Sequence, residues 1–367
     1  MSVDPTHDGQ YALDDDLSGI APDHLDYGRI DHTKPNRLRR IGDQIGSSFL
    51  NMGAEHAGRG SRMCQCGALL EFDCYKIGDC EEPKRVLVNA SFCRERLCPM
   101  CMWRHSLWLH MMLCALLAAY LNIKPQHQAL LLTLTIKNVP ASELKGAIDR
   151  LLKAYRKLMR YKRVAGAIDA WYRVLEITRN LDTGEFHPHL HVILLVPPTY
   201  FRRSGSLYIG QADWVALFRK ALKVDYDPMC DIRAMVGVGG GAPLDEIGKK
   251  SLFEACKYVC EPGMFIDGEI ADFPLRELHE AITGRRLVGM SKSLRHLSKE
   301  LNQTEEMPDD FMPDRRLPDD AVYLGRETYQ WQRGQTHAES RYVLVRFREW
   351  DPQPQTTEAG MSTASSA

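Results

Sequence analysis

The stretch HPHLHVILLV, residues 187–196, decides the fold. Its apolar second half contains β-branched residues, and a short run of this kind predicts a buried strand over His189–Val196. The segment YRVLEIT (Tyr172–Thr178) predicts a second strand, and the intervening RNLDTGEF is rich in turn-forming residues. Two strands joined by so short a turn predict an antiparallel hairpin.

Three side chains of this hairpin are candidate metal ligands. Because side chains alternate along a strand, His189 and His191 project from one face, about 7 Å apart. On the partner strand, Glu176 is a carboxylate in a mostly apolar run, where an unpaired buried charge would be unfavourable. Two imidazoles and one carboxylate suit a divalent ion, Mg²⁺ or Mn²⁺, that keeps open positions for a substrate oxygen. The alternative is an ordinary histidine pair at an exposed strand end.

The segments around the hairpin predict further strands and helices. Ala129–Lys137 (ALLLTLTIK) predicts a central strand, and an amphipathic repeat predicts a helix over 142–161. Further helices are predicted over Asp213–Leu222 and Leu244–Val259, the second ending at a Glu-Pro-Gly sequence. This order of elements predicts an α+β fold with a central antiparallel sheet flanked by helices.

Seven of the eleven cysteines lie within residues 64–101, and the last two of them follow the C-x2-C spacing that binds tetrahedral zinc. In a chain of this size, clustered cysteines bind metal more often than they form disulfides. The preferred ligands of a structural Zn²⁺ are Cys66, Cys93, Cys98 and Cys101. Cys64 could replace Cys66 or Cys93. Cys74 and Cys80 could complete a second site, and the thiols could instead be buried for packing alone.

Length and composition exclude several classes of protein. With 367 residues, 44% hydrophobic and 26% charged, the chain can form one large domain or two ordinary ones, and it is not collagen-like or wholly disordered. The N-terminus has no signal-peptide pattern, and the apolar stretch Leu107–Leu121 is shorter than the roughly 20 residues of a spanning helix. We therefore expect a cytoplasmic protein without a membrane anchor.

Changes of composition predict five segments. Two of them, an acidic tail over 1–28 and a Ser/Thr/Pro-rich tail over 351–367, are expected to be disordered. The folded part is expected to contain an N-terminal region (29–127) with a Cys-rich zinc module at about 64–105, a second domain (128–290) and a C-terminal extension (291–350). The extension follows a predicted helix at RELHEAITGRR and includes a late strand at YVLVRFREW.

The formal net charge is −1, so affinity for nucleic acid must come from local patches. Residues 145–163 contain eight Lys or Arg and a single acid, Asp149. This segment is a candidate DNA-binding stripe, and it is equally consistent with a solvated helix face.

The predicted helix Leu244–Val259 carries Glu254, Lys257 and Tyr258. Glu254 and Tyr258 are four residues apart on one helical face, so a base and a nucleophile could act at one phosphate. A phenol is a weak nucleophile near neutral pH, and Lys257 or a metal ion could supply the cation that it needs. Without other evidence, a glutamate and a tyrosine four residues apart on a helix are usually ordinary surface residues with no catalytic role.

The ordered motifs FCRERLCPMC, LLLTLTI, HPHLHVILL and EACKY resemble the rolling-circle plasmid replication initiators of family 1, in the HUH endonuclease superfamily. The resemblance spans about Cys66 to Arg286. It implies an HUH endonuclease domain at 128–290 behind the zinc module. Members of that family nick one strand at the plasmid origin without ATP. A tyrosine becomes joined to the 5′-phosphate, and the freed 3′-OH primes synthesis.

The resemblance also implies roles for individual residues. Tyr258 would be the nucleophile, His189 and His191 would hold the divalent cation, and Glu254 would activate water to release the last product. Many HUH proteins have a lysine three residues after the tyrosine, where this chain has a glutamate, and Lys257 could replace that charge. The implied substrate is plasmid origin DNA, single-stranded or extruded as a hairpin. A host helicase and DNA polymerase are implied partners.

Two rival functions fit the same motifs. A conjugative relaxase or a single-strand transposase would share the chemistry. A zinc-dependent DNA-binding regulator without catalysis would use His189, His191 and Tyr258 for structure alone. That regulator predicts that Tyr258→Phe leaves plasmid maintenance intact, whereas an initiator would lose replication and keep DNA binding.

Overall fold

The computed structural model describes residues 33–202, 207–239, 274–302 and 317–350, together with Leu252 and Met307. Within them the chain has an α+β fold, with helices packed around two antiparallel sheets. The helices are α1 (Thr33–Asn51), α2 (Ala54–Cys64), α3 (Pro99–Ile123), α4 (Leu144–Leu158), α5 (Lys162–Ala167), α6 (Gln211–Leu222), α7 (Leu275–Ile282) and α8 (Lys292–Glu300). The strands are β1 (Leu69–Lys76), β2 (Lys84–Ala90), β3 (Gln128–Thr135), β4 (Ala170–Arg179), β5 (Phe186–Val196), β6 (Cys230–Gly239), β7 (Val288–Met290), β8 (Val322–Gln332) and β9 (Arg341–Glu349).

The larger sheet has the strand order β6-β3-β5-β4-β7. The predicted hairpin is confirmed as the β4–β5 pair, in which Glu176 is directly opposite His189. The predicted central strand is confirmed as β3, which pairs with β5 on one side and with β6 on the other. The two strands with candidate metal ligands are therefore neighbours inside the sheet.

Both faces of this sheet are covered. On one face Leu190, Val192 and Leu194 of β5 share a hydrophobic core with α4, α6 and α7. On the other face Ile193 and Leu195 pack with α3 and α8. This explains why β5 is a continuous apolar run, because a strand buried on both faces needs apolar residues at successive positions. By alternation, His189 and His191 lie on the α3 and α8 face.

The predicted helices also have counterparts in the structure. The helix expected over 142–161 is a 3₁₀ turn at Ala141–Glu143 followed by α4, and the next expected helix is α6. The expected helix and late strand near the C-terminus are α7 and β9. The helix expected over Leu244–Val259 lies outside the described residues, apart from the single residue Leu252.

The apolar stretch Leu107–Leu121 belongs to a longer helix than the sequence indicated. Helix α3 has 25 residues and is, within the described part of the chain, the one helix long and apolar enough to cross a membrane. Its first turns are buried in the core that contains α4, and its second half is buried in the core behind the metal-ligand face of the sheet. Packing inside the protein therefore accounts for its apolar composition.

The smaller sheet has the order β2-β1-β8-β9 and joins distant parts of the chain. Strands β1 and β2 come from the Cys-rich region, whereas β8 and β9 come from the C-terminal extension. One face of this sheet buries a small apolar cluster that includes Phe72, Tyr329 and Trp331. The N-terminal region and the extension thus complete one sheet, and the domain boundaries given above stay a prediction.

Candidate metal centres

The first candidate centre lies on the β4–β5 pair. One carboxylate oxygen, Oε2 of Glu176, lies 3.0 Å from Nε2 of His189 and 2.7 Å from Nε2 of His191. The two imidazole rings meet edge to face, with centroids 4.9 Å apart. The structure therefore brings together the three ligands that the strand alternation predicted, with all ligand atoms within 4.8 Å of one another.

Hydrogen bonds on the far side of each ring fix its orientation. Nδ1 of His189 lies 3.1 Å from the backbone carbonyl of His187, and Nδ1 of His191 lies 3.2 Å from Oγ1 of Thr133 on β3. With an ion bound in place of the Nε2 protons, each Nδ1–H would donate to these oxygens and the Nε2 lone pairs would be free to coordinate, as metal-binding histidines require. The sequence analysis missed Thr133, because its contact depends on the β3–β5 register, which pairs it with His191.

The carboxylate of this centre is ionised although it is buried. Burial opposes ionisation of Glu176, but the hydrogen bonds from His189 and His191 outweigh it and hold the pKa of the carboxyl well below its usual range. Burial, with a smaller effect of the neighbouring His189, lowers the pKa of His187 to about 4. One anionic oxygen beside imidazole nitrogens is a donor set that fits a divalent cation with open coordination positions.

The second candidate centre consists of the four preferred cysteines, which converge from three segments. Cys66 follows α2, Cys93 follows β2, and Cys98 and Cys101 begin α3. The Sγ–Sγ distances are 3.5 Å for Cys66–Cys101, 3.6 Å for Cys93–Cys101 and 3.5 Å for Cys66–Cys98. These distances are too long for disulfides and close to the roughly 3.8 Å edge of a tetrahedron with 2.3 Å Zn–S bonds.

The backbone around the four thiols also fits a metal site. Backbone N–H groups of Cys93 and Arg94 donate to Sγ of Cys66 and Cys101, at 3.4 and 3.2 Å. Gly67 has φ +63°, the left-handed conformation that the tight turn after Cys66 requires. Hydrogen bonds from the other thiols, Cys101 first, lower the pKa of Cys66 well below its usual value. The donor set and its surroundings therefore fit Zn²⁺.

The remaining candidate cysteines lie elsewhere. Sγ of Cys64 lies 3.8 Å from the carbonyl of Asp43, Cys74 is buried within β1, and Cys80 is exposed. Within the described ranges, neither Cys74 nor Cys80 takes part in a cluster of three potential ligands. The structure thus gathers the preferred four cysteines and none of the alternatives.

Tyr258, Glu254 and Lys257 all lie outside the described residues. Their proposed roles therefore rest on the EACKY motif alone.

Comparison with known proteins identifies one family. The family model described as "Replication protein" matches residues 84–343. A "Protein rep" of Bacillus amyloliquefaciens is 34% identical over 290 residues, which cover 73% of this chain and 81% of that protein. A "Protein rep" of Lactiplantibacillus plantarum is 31% identical over 316 residues, 85% of this chain and 92% of that protein. No solved structure matches the chain.

Proposed function

Since this chain belongs to the replication protein family, we propose that it initiates plasmid replication by a metal-dependent nick in one strand of the origin. The observation that supports this chemistry is the cluster of Glu176, His189 and His191 on one face of a central antiparallel sheet. On the same ground we assign the five-stranded sheet to an HUH endonuclease domain. The cysteine cluster is assigned to structural Zn²⁺.

In this proposal Glu176, His189 and His191 hold Mg²⁺ or Mn²⁺, which when bound withdraws charge from the oxygens of the scissile phosphate. The ionised carboxylate of Glu176 compensates part of the positive charge of the ion. Thr133 and the carbonyl of His187 hold the two rings in the tautomer that leaves Nε2 free to coordinate.

We assign the nucleophile to Tyr258 from its motif. The phenolic oxygen forms a bond to phosphorus, and the bond from phosphorus to the 3′ oxygen breaks. The phenolic proton ends on the departing oxygen, so the products are a 5′-phosphotyrosine and a free 3′-OH. Lys257 stabilises the phenolate, and Glu254 activates the water that releases the last product.

The substrate of this reaction is origin DNA that is single-stranded at the nick, as a melted loop or an extruded hairpin. The free 3′-OH is a primer, so a host helicase and a DNA polymerase would act next. These steps take place on plasmid DNA in the cytoplasm.

The test is an adduct assay with the purified full-length protein. Single-stranded oligonucleotides, labelled at the 3′ end and tiled across the DNA that surrounds the gene, are incubated with Mn²⁺ and separated under denaturing conditions. The variants are Tyr258→Phe and His191→Ala. Tyr208→Phe, at an exposed tyrosine, is the matched control.

A labelled, SDS-resistant protein band that needs Mn²⁺, His191 and Tyr258, and that Tyr208→Phe retains, is the expected result. DNA binding without an adduct or cleavage on any oligonucleotide would favour the non-catalytic regulator. A relaxase or transposase would also form the adduct. Loss of plasmid replication in cells that carry Tyr258→Phe distinguishes the initiator from both.

A further inference from the structure

The exposed side of α4, the turn after it and the first residue of α5 form a basic surface. The buried side chains of α4, among them Ile148, Leu151 and Leu158, pack into the core beneath the helix. The cations therefore lie on the opposite side. We define the α4 basic face by six of them: Arg150, Lys153, Arg156, Lys157, Arg160 and Lys162.

Neighbouring acids do not neutralise this face. Asp149, the only acid between residues 145 and 163, pairs with Arg285 at 2.7 Å. Asp213 pairs with Arg163 at 2.6 Å. In the described part of the chain, no carboxylate pairs with a residue of the α4 basic face, and the side chain of Lys157 only reaches a backbone carbonyl of α6. Like charges on successive turns repel one another, so the face is suited to a polyanion.

The spacing of the cations matches a nucleic-acid backbone. Arg150 and Arg160 are ten residues apart, which is about 15 Å along a helix and about the length of four base pairs. Single-stranded binding would also need exposed aromatic rings on which bases stack. The tyrosines of this segment do not offer them, since Tyr155 is buried and Tyr161 is half-buried beneath the ammonium of Lys220, 5.8 Å away. A surface that contacts phosphates but offers no rings for base stacking favours double-stranded over single-stranded DNA.

The α4 basic face and the metal centre belong to opposite sides of the sheet. Helix α4 packs against the face that contains Leu190 and Val192, whereas His189 and His191 share the other face with Ile193. A strand held at the metal centre is therefore separated from this surface by the sheet and α4 itself.

We propose that the α4 basic face binds the phosphate backbone of double-stranded DNA, apart from the strand that is held at the metal centre. The identity of the polyanion as DNA rests on the proposed function, whereas the surface itself is defined by the structure. In this arrangement the α4 basic face binds duplex DNA, while the metal centre on the opposite side of the sheet binds the single strand to be nicked.

The test compares two variants with the same loss of charge. One is Arg150→Gln/Lys153→Gln/Arg156→Gln on the α4 basic face. The control is Arg341→Gln/Arg346→Gln/Arg348→Gln, three exposed arginines of β9 on the other sheet. Binding of a fluorescent 30-base-pair duplex of arbitrary sequence is measured by anisotropy over a range of salt concentrations, and thermal melting verifies that each variant folds.

We expect the α4 variant to bind the duplex at least tenfold more weakly at low salt. The slope of log K against log salt is negative, and its magnitude should fall by about 2.7, since each of the three lost phosphate contacts removes about 0.9. The β9 variant should bind like the wild type. An unchanged affinity of the α4 variant, or an equal loss in both variants, would overturn the proposal.

A short single-stranded oligonucleotide separates this proposal from the nicking reaction. The α4 variant should form the tyrosine adduct on it as efficiently as the wild type. If the wild type forms no adduct, the proposed nicking function fails, while the duplex titrations still decide whether the α4 basic face binds DNA.

Discussion

At the scale of single residues, Thr133 links the metal centre to the rest of the sheet. Thr133→Val keeps the shape of the side chain but removes the Oγ1 atom 3.2 Å from Nδ1 of His191. Without this partner the ring is free to adopt the wrong tautomer, so we expect the affinity for Mn²⁺ to fall about 10-fold to 100-fold in isothermal titration calorimetry. Thr328→Val, a buried threonine of the other sheet, is the control. Equal affinities of the two variants would show that Thr133 does not position His191.

Substitution of Cys98 is a single-residue test of the four-cysteine zinc site. It is buried, with its Sγ 3.5 Å from Sγ of Cys66, and both belong to the main hydrophobic core. We expect Cys98→Ser to lose zinc and about 3 kcal/mol or more of folding free energy, because structural zinc contributes directly to folding. Zinc released by a thiol-blocking reagent is measured with a colorimetric chelator. Cys80→Ser, at an exposed cysteine, should keep one zinc per chain. If the Cys98→Ser variant kept one zinc per chain, Cys98 would not be a zinc ligand.

At the scale of elements, the sequence predicts what depends on local patterns. The β4–β5 hairpin is predictable because alternation and turn residues lie within one short stretch, and alternation places His189 and His191 on one face. The sequence predicts Glu176 as an isolated carboxylate on the partner strand, and the hairpin register places it directly opposite His189. The four-stranded sheet is not predictable in this way. Its strands β1 and β8 are joined by pairs such as Asp73–Arg326, which are 253 residues apart, and no local pattern indicates that pairing. Thr133 was missed for the same reason, since its contact requires the register between two strands.

An ion pair within the four-stranded sheet connects β8 to β2. The carboxylate of Glu327 accepts hydrogen bonds from Nε of Arg85 at 2.7 Å and from the hydroxyl of Tyr329 at 2.9 Å. Burial raises the pKa of Glu327, but these hydrogen bonds outweigh burial, and its net pKa is lower than in the unfolded chain. The carboxylate therefore stabilises the fold above the unfolded pKa of about 4.3, and this contribution is lost as the pH falls through the folded value.

Glu327→Gln should consequently lower the free energy of unfolding by about 2 kcal/mol at pH 7, because it removes a charge-assisted pair that is largely buried. The difference from the wild type should shrink as the pH falls from the unfolded pKa of about 4.3 through the lower pKa of folded Glu327, because the wild-type carboxylate then becomes protonated. Urea unfolding at pH 7 and pH 3.5 measures both values. Glu71→Gln, which affects a hydrogen bond with Asn89 on the same sheet, is expected to show a smaller difference. If Glu327→Gln lowered the free energy of unfolding by the same amount at both pH values, this account would be wrong.

At the scale of the whole molecule, α1 and the end of β8 meet at one buried ion pair of α1. Nη1 of Arg39 on α1 lies 2.7 Å from Oδ1 of Asp43, and only 1% of the Arg39 side chain is exposed. Asp43 also accepts hydrogen bonds from Nε1 of Trp331 at 2.8 Å and from Nη2 of Arg333 at 2.9 Å. Both residues follow all strands of the five-stranded sheet in the sequence. Nη2 of Arg39 donates to the carbonyl of Cys64, at the end of α2. This network therefore joins the helices before the cysteine cluster to the strands that complete the smaller sheet.

Asp43→Ala should destabilise the whole protein, because it leaves the buried guanidinium of Arg39 without this carboxylate. We expect a loss of about 3 to 5 kcal/mol in urea unfolding. The double variant Arg39→Met/Asp43→Leu should recover a large part of that loss, since it removes both buried charges. Asp149→Ala, which breaks the pair of an exposed aspartate with Arg285, should cost less than about 1 kcal/mol. If Asp43→Ala is as mild as Asp149→Ala, the apolar cluster of the smaller sheet, and not this network, holds the N-terminal region and the C-terminal extension together.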